Sequence, residues 1–271
     1  MFGKLLKHEL KSSAPIMLIL NGIIISLGIA GAIGKRVFIS SIEGIETSTI
    51  APWLVFPGFI LFYAAYFGII VCAAAAQYIP LFRFYGSRFT DRGYLTFTLP
   101  VSVHHNFLSA ALNMLIWFSL TTVVYMLTYA SMFLIGFTGL DNYLAEDILT
   151  SFWYELEYFP PLMGVGMLIM FFAAPVYSVA MNMTAVVAAC SVFKRLKVLG
   201  CIGFMYALQM IASALLGGTM MICILPAAFA GIDPTPMMAV AYAVMGVIMM
   251  LLSVGGYFLS THLMKKKLNL S

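Results

Sequence analysis

Apolar residues run along most of this chain in long stretches, and polar residues collect in the short segments between them. The apolar stretches lie at 15–34, 53–78, 106–137, 159–192, 198–224 and 237–264. Each is at least 20 residues long, which at about 1.5 Å per residue crosses a hydrocarbon core of about 30 Å as a helix. A transmembrane strand would instead alternate apolar and polar residues over about ten positions. The pattern therefore predicts an all-α membrane protein with six transmembrane helices.

The composition supports the same class. Of the 271 residues, 63% are hydrophobic and 9% are charged, whereas an ordinary soluble domain has about 25% charged residues. The basic start before the first stretch also fits a secretory signal, but the 20 apolar residues from Pro15 to Gly34 favour a first span that is retained. We expect one transmembrane domain over 14–271, preceded by a short helix over 1–13.

That short helix, Met1–Ser13, is predicted to be amphipathic. At about 100° per residue, Lys4, Lys7 and Lys11 share one arc and the leucines spread over the other side. This pattern favours a helix that lies in the headgroup layer with its lysines toward anionic lipid. Glu9 projects among the leucines, so its carboxylate either reaches water or meets a basic residue of a partner subunit.

Basic residues predict the orientation. Twelve of the 14 Lys and Arg residues lie in the N-terminal segment, the second and fourth loops and the C-terminal tail, three in each. Eight of the ten acidic residues lie in the alternate loops. By the positive-inside rule, both termini and the even-numbered loops are expected to be cytosolic.

The sequence lacks the usual signs of catalysis or autonomous pumping. No charged residue falls inside a predicted span, which argues against a proton-driven pump but leaves a facilitator possible. Gly34-Lys35 resembles the end of a phosphate-binding loop, but Ile29 and Arg36 occupy the positions of its first glycine and its Ser/Thr. The four cysteines are interpreted as small hydrophobes. We expect no enzyme activity and no metal or cofactor in this chain.

The second loop, Arg83–Ser102, is the most distinctive segment. Tyr85 and Phe89 are four residues apart, as are Arg88 and Arg92, so a short helix here would place an aromatic pair beside a basic pair. Aromatic residues and arginine are enriched at the centres of protein interfaces. The loop is predicted either to dock a partner or simply to lie among headgroups, and Ser102 is placed to cap the third span.

The second half of the loop, Gly93–Ser102 with the sequence GYLTFTLPVS, resembles the coupling loop in permease subunits of bacterial ABC-2 type transporters. The resemblance extends to the layout of six spans behind an amphipathic N-terminal helix. It implies a cytosolic coupling helix between spans 2 and 3 that docks into a separate ATPase subunit. The implied ATPase-coupling residues are Arg83, Tyr85, Arg88, Phe89, Asp91, Arg92 and Tyr94, with secondary contacts at Glu9, Lys194, Arg195 and Lys197.

The resemblance further implies an ABC exporter in the bacterial cell membrane. ATP and Mg²⁺ would be bound by two copies of the ATPase, and a second permease chain, expected to be identical, would complete the transporter; no nucleic acid is expected. The uncharged spans favour an amphipathic or hydrophobic peptide as cargo. Export of drugs or lipids, or a non-transport sensor or assembly role, are the alternatives. Three polar residues within the spans either line a substrate path or form interhelical hydrogen bonds: Asn113, Asn182 and Gln209.

Overall fold

Six long α-helices make up most of the computed structural model, which describes residues 2–47, 52–90, 102–137, 150–151, 154, 159–193, 197–231 and 235–267. They are α1 (Phe2–Thr47), α2 (Val55–Arg88), α3 (Val103–Phe137), α4 (Pro161–Val192), α5 (Lys197–Phe229) and α6 (Thr235–Lys267). Among these described residues there is no β-strand. All six helices are long and apolar enough to cross a membrane. The prediction of a multi-pass, all-α protein with six such helices is therefore confirmed at this level.

All the helices except α4 are longer than the apolar stretches that predict them. They range from 32 residues in α4 to 46 in α1, so they extend about 48 to 69 Å at 1.5 Å per residue. The predicted short helix over 1–13 and the predicted first span are one element, because α1 continues through Pro15. The location of its first turns in the headgroup layer stays a prediction.

Local sequence determines how two of the helices start. Pro161 is the first residue of α4 and follows Pro160, whose φ of −62° and ψ of 122° are extended; proline suits this position because its missing N–H would have no helical partner. At the start of α3, the Ser102 hydroxyl oxygen accepts a hydrogen bond from the His105 N–H at 3.4 Å. Ser102 thus caps α3 as predicted.

The chain divides into two compact units. The first comprises Met1–Glu9, Pro80–Leu115 and Phe159–Ser271. Within it, α4 packs closely along α6, because a Cβ on Gly166 would lie 2.6 Å from the Ala239 carbonyl oxygen. Its largest buried cluster joins the end of α2 and the start of α3 to α4, α5 and the end of α6.

The second unit comprises Leu10–Ile79 and Ile116–Tyr158, so it contains most of α1 and α2 and the later part of α3. Glycine allows α1 and α2 to approach each other: a Cβ on Gly34 would lie 2.8 Å from the backbone nitrogen of Phe62. A Cβ on Gly28 would likewise overlap the Thr128 side chain of α3. Such close backbone approach is common between helices that associate in membranes.

Candidate functional site: the polar cluster around Arg88

Arg88 is a buried cation at the last residue of α2. Its side chain is 1% exposed, and its Nη2 lies 2.9 Å from Oε1 of Glu9 in the first turns of α1. Nη2 also donates to the side-chain oxygen of Asn106 at 2.8 Å and to the Asn106 carbonyl oxygen at 3.1 Å. Nε reaches the same side-chain oxygen at 3.1 Å, and Nη1 donates to the Ser87 hydroxyl oxygen at 3.0 Å. Every nitrogen of the guanidinium group therefore has an acceptor.

The surroundings of Arg88 explain why its burial is tolerated. The guanidinium carbon lies 4.9 Å from the centre of the Phe84 ring, so the ring face also contacts the cation. The Glu9 side chain is 25% exposed, which keeps part of the carboxylate hydrated. Burying a charge is costly unless it is paired and hydrogen-bonded, and Arg88 meets both conditions. Removing one partner of a fully buried pair typically costs about 3–5 kcal/mol.

The cluster joins the two ends of the predicted coupling loop. Arg88 ends α2, whereas Asn106 lies in the first turn of α3, 18 positions later in the chain. Glu9 adds α1 to the same contact. The N-terminal helix and the two ends of the loop are thus held together through one arginine. Glu9 does meet a basic residue, but that residue is Arg88 of its own chain and not a residue of a partner subunit.

Of the four predicted docking residues that the structure describes, two are buried and two are half-buried. Arg83, Tyr85, Arg88 and Phe89 are described, whereas Asp91, Arg92 and Tyr94 lie outside the described residues. Phe89 is 7% exposed and belongs to the main cluster of the first unit. Tyr85 and Phe89 stack as the i, i+4 spacing predicts, with ring centres 6.4 Å apart at 20°. Arg83 and Tyr85 are half-buried, so the described half of the loop faces inward more than a docking helix would.

The predicted second span ends at Tyr78, and α2 continues ten residues beyond it to Arg88. Leu81 and Phe84 are buried in the main cluster of the first unit. Their packing stabilises the part of α2 that follows the apolar stretch 53–78. The hydrogen-bond and ion-pair partners of Arg88 stabilise the charge at the last residue of the helix. The segment Arg83–Arg88 is therefore the end of α2 and not a separate short helix.

Of the predicted secondary contacts, Glu9 and Lys197 can be located. Lys197, the first residue of α5, places its Nζ 3.5 Å from the Phe89 carbonyl oxygen, which is a long contact. Lys194 and Arg195 lie outside the described residues.

The three predicted path residues lie in different environments. Asn113 of α3 is 5% exposed, Asn182 of α4 is half-buried, and Gln209 of α5 is exposed. A shared path would give the three side chains similar surroundings. The environment of these residues therefore does not group them into a single site.

The structure also contains a polar contact between α3 and α6 that was not predicted from the sequence. Lys265 Nζ lies 2.9 Å from Nε2 of His104, and Nδ1 of the same ring lies 2.9 Å from the Tyr257 hydroxyl. An ammonium group can only donate, so Nε2 is the acceptor and Nδ1–H donates to Tyr257. These contacts join residues that are 153 and 161 positions apart in the chain. Residues so far apart show no pattern in the sequence, so the contacts could not be predicted.

Within the part of the chain that the structure describes, no group of three His, Cys, Asp or Glu side chains could hold a metal ion. Comparison of the chain with family models, with curated proteins and with solved structures found no match.

Proposed function

We propose that this chain is the membrane-spanning subunit of an ATP-driven ABC exporter of the ABC-2 type, located in the bacterial cell membrane. The observation that carries the proposal is the Arg88 cluster, which holds together the two ends of the predicted coupling loop and the N-terminal helix. A loop that receives force from a partner needs a rigid base, because a loose base would absorb the movement. The sequence of the loop, GYLTFTLPVS, supports the same function.

The proposed division of labour follows from what the sequence lacks. The chain has no complete phosphate-binding loop, so two copies of a separate ATPase would bind ATP and Mg²⁺ and press on the loop. A second, identical permease chain would complete the transporter. The cargo we propose is an amphipathic or hydrophobic peptide, because the predicted spans carry no charged residue to bind an ionic substrate.

The partner is tested by purifying the tagged chain in a gentle detergent from its native membrane and identifying the proteins that accompany it. We expect a soluble protein with a phosphate-binding loop and the ABC signature, in equal amount to the permease. If the chain is purified alone and no ATPase of the same cell binds it, the proposal is wrong.

The docking residues are tested separately. Arg88 and Phe89 are buried, so their replacement would disturb folding, and the docking test uses Arg92→Ala together with Tyr94→Ala. We expect loss of the ATPase from the purified complex with unchanged yield of the permease. The control is Lys35→Ala with Arg36→Ala. It removes two positive charges from another part of the chain, whereas the docking variant removes one. Retention of the ATPase by the first variant would refute docking through this loop.

The cargo is tested by uptake of a labelled amphipathic peptide into inside-out vesicles. ATP-dependent uptake that vanishes in the Arg92 and Tyr94 variant would support peptide export. Uptake of a drug or labelled lipid, with no peptide uptake, would replace that cargo with the alternative.

A further inference from the structure

The second unit contains four buried polar side-chain atoms that lack hydrogen-bond partners among the described residues, and one of them is the hydroxyl oxygen of Tyr129. The other three are the side-chain oxygen of Asn21 in α1 and, in α3, the indole nitrogen of Trp117 and the hydroxyl oxygen of Thr121. The three residues are 6%, 7% and 4% exposed. A buried polar group left without a partner costs about 1–3 kcal/mol. Three of them in one unit therefore call for an explanation.

The packing of α1 against α3 places these atoms at neighbouring levels. Gly28 faces Thr128, and Gly31 faces Met132, so a residue of α1 lies beside the residue of α3 about 100 positions later. Met17 and Trp117 follow the same rule, because both belong to one buried cluster. The two helices therefore run in parallel.

The same register sets Asn21 beside Thr121, with Trp117 one helical turn away on the same face of α3. The three residues that carry these unpartnered atoms therefore lie within about one helical turn of each other along α1 and α3.

The residues of α2 at this level have small side chains. The contacts of Gly31 with Ala65 and of Gly68 with Leu27 give the antiparallel register of α1 and α2. This register sets Asn21 opposite Ala74 and Ala75, next to Ala76. Ala76 is 1% exposed and belongs to the cluster that contains Met17 and Trp117. A third helix thus closes the place without filling it with a large side chain.

The orientation of the Asn21 amide is fixed by its own helix. Its Nδ2 donates to the Met17 carbonyl oxygen at 2.8 Å. Turning the amide over would set two oxygens against each other, so the oxygen is the group that points away from this contact. The site then offers one acceptor at Asn21, one donor at Trp117 and a hydroxyl at Thr121 that can do either.

We infer that this place binds a water molecule between α1 and α3, a site that goes beyond the proposed transport function. A water molecule can accept from the Trp117 indole N–H and donate to the Asn21 oxygen while it shares a third hydrogen bond with Thr121. Buried waters typically make about three hydrogen bonds of this kind. A water can rebuild its hydrogen bonds in several geometries, so α1 and α3 gain a joint that tolerates small shifts.

The test is water-to-indole magnetisation transfer, measured by solid-state NMR on ¹⁵N-indole-labelled protein in lipid bilayers. Trp153→Phe simplifies the spectrum, and Trp53, which is 70% exposed, serves as the positive control. We expect rapid transfer from water to the Trp117 indole N–H despite its burial. Transfer to Trp53 without transfer to Trp117 would overturn the inference, since Thr121 would then simply bond Asn21 directly.

Two variants show whether the water belongs to this site. Asn21→Leu and Thr121→Val remove polar partners at nearly constant volume, and each should reduce transfer to Trp117 several-fold. Asn182→Leu, in the other unit, is the matched control and should leave it unchanged. If neither substitution at the site changes the transfer, the water near Trp117 is general hydration and the inference is wrong. Thr121→Val is conservative enough to decide the question if Asn21→Leu does not fold.

Discussion

The contact between Glu9 and Arg88 can be tested by a double-mutant cycle. Glu9→Gln removes the negative charge and keeps a hydrogen-bond acceptor, whereas Arg88→Met removes the cation and keeps an unbranched apolar chain. The cycle isolates the energy that the two charges share, because effects confined to one residue cancel.

The magnitude follows from the burial of the two partners. The Arg88 side chain is 1% exposed and Glu9 is 25% exposed, so the pair lies between a surface pair, worth about 0.2–1 kcal/mol, and a fully buried one, where losing a partner costs about 3–5 kcal/mol. In Glu9→Gln, Arg88 keeps its bonds to Asn106 and Ser87, which limits the loss. We expect a coupling energy of about 1–2 kcal/mol, from these bounds.

The free energy of unfolding is measured by titrating the purified chain and its variants with SDS in mixed micelles and following the near-ultraviolet circular dichroism. Lys11→Gln is the control, because Lys11 is an exposed residue of the same helix and should change the free energy by less than about 0.5 kcal/mol. A coupling energy below about 0.5 kcal/mol would place the pair in the class of surface contacts. The argument that Arg88 holds α1 to the ends of the loop would then fail.

Two further predictions concern helix packing. Gly34→Ala should destabilise the chain by about 1–3 kcal/mol, as overpacking does, because the added Cβ would lie 2.8 Å from the Phe62 backbone nitrogen. Gly22→Ala is the control, because a Cβ there would have nothing within 4 Å, and it should be neutral or stabilising in the same SDS titration. Equal losses of stability in both variants would contradict this reasoning. Thr184→Val should lower the free energy of unfolding by about 0.6 kcal/mol, because it removes the acceptor of the Ser260 hydroxyl, which donates to Thr184 Oγ1 at 3.1 Å between α4 and α6. An unchanged midpoint of the SDS titration would show that this hydrogen bond contributes nothing.

The sequence predicts the number and type of the helices because 20 or more apolar residues admit few alternatives in a membrane. It also predicts a local feature that depends on adjacent residues, the cap at Ser102. It does not predict where α2 ends, because the last ten residues are held by packing and by partners distant in the chain. The signal that did exist was Glu9, a carboxylate among leucines, but only the structure identifies its partner as Arg88.

The same arginine changes what the positive-inside pattern means for this loop. Arg83, Arg88 and Arg92 count equally toward orientation, but Arg88 has its charge matched by Glu9 and its hydrogen bonds satisfied by Asn106 and Ser87. If the loop docks an ATPase as proposed, Arg88 therefore offers little to that contact, and docking depends on the residues that follow it. Arg88 would instead act after docking, in the transmission of force from the loop to the helices. A force applied to the loop would reach α2 and α3 through the ends that Arg88 joins, and α1 through Glu9. If this is right, weakening the Glu9–Arg88 contact should leave ATPase binding intact while reducing transport, whereas changes at Arg92 and Tyr94 should abolish both.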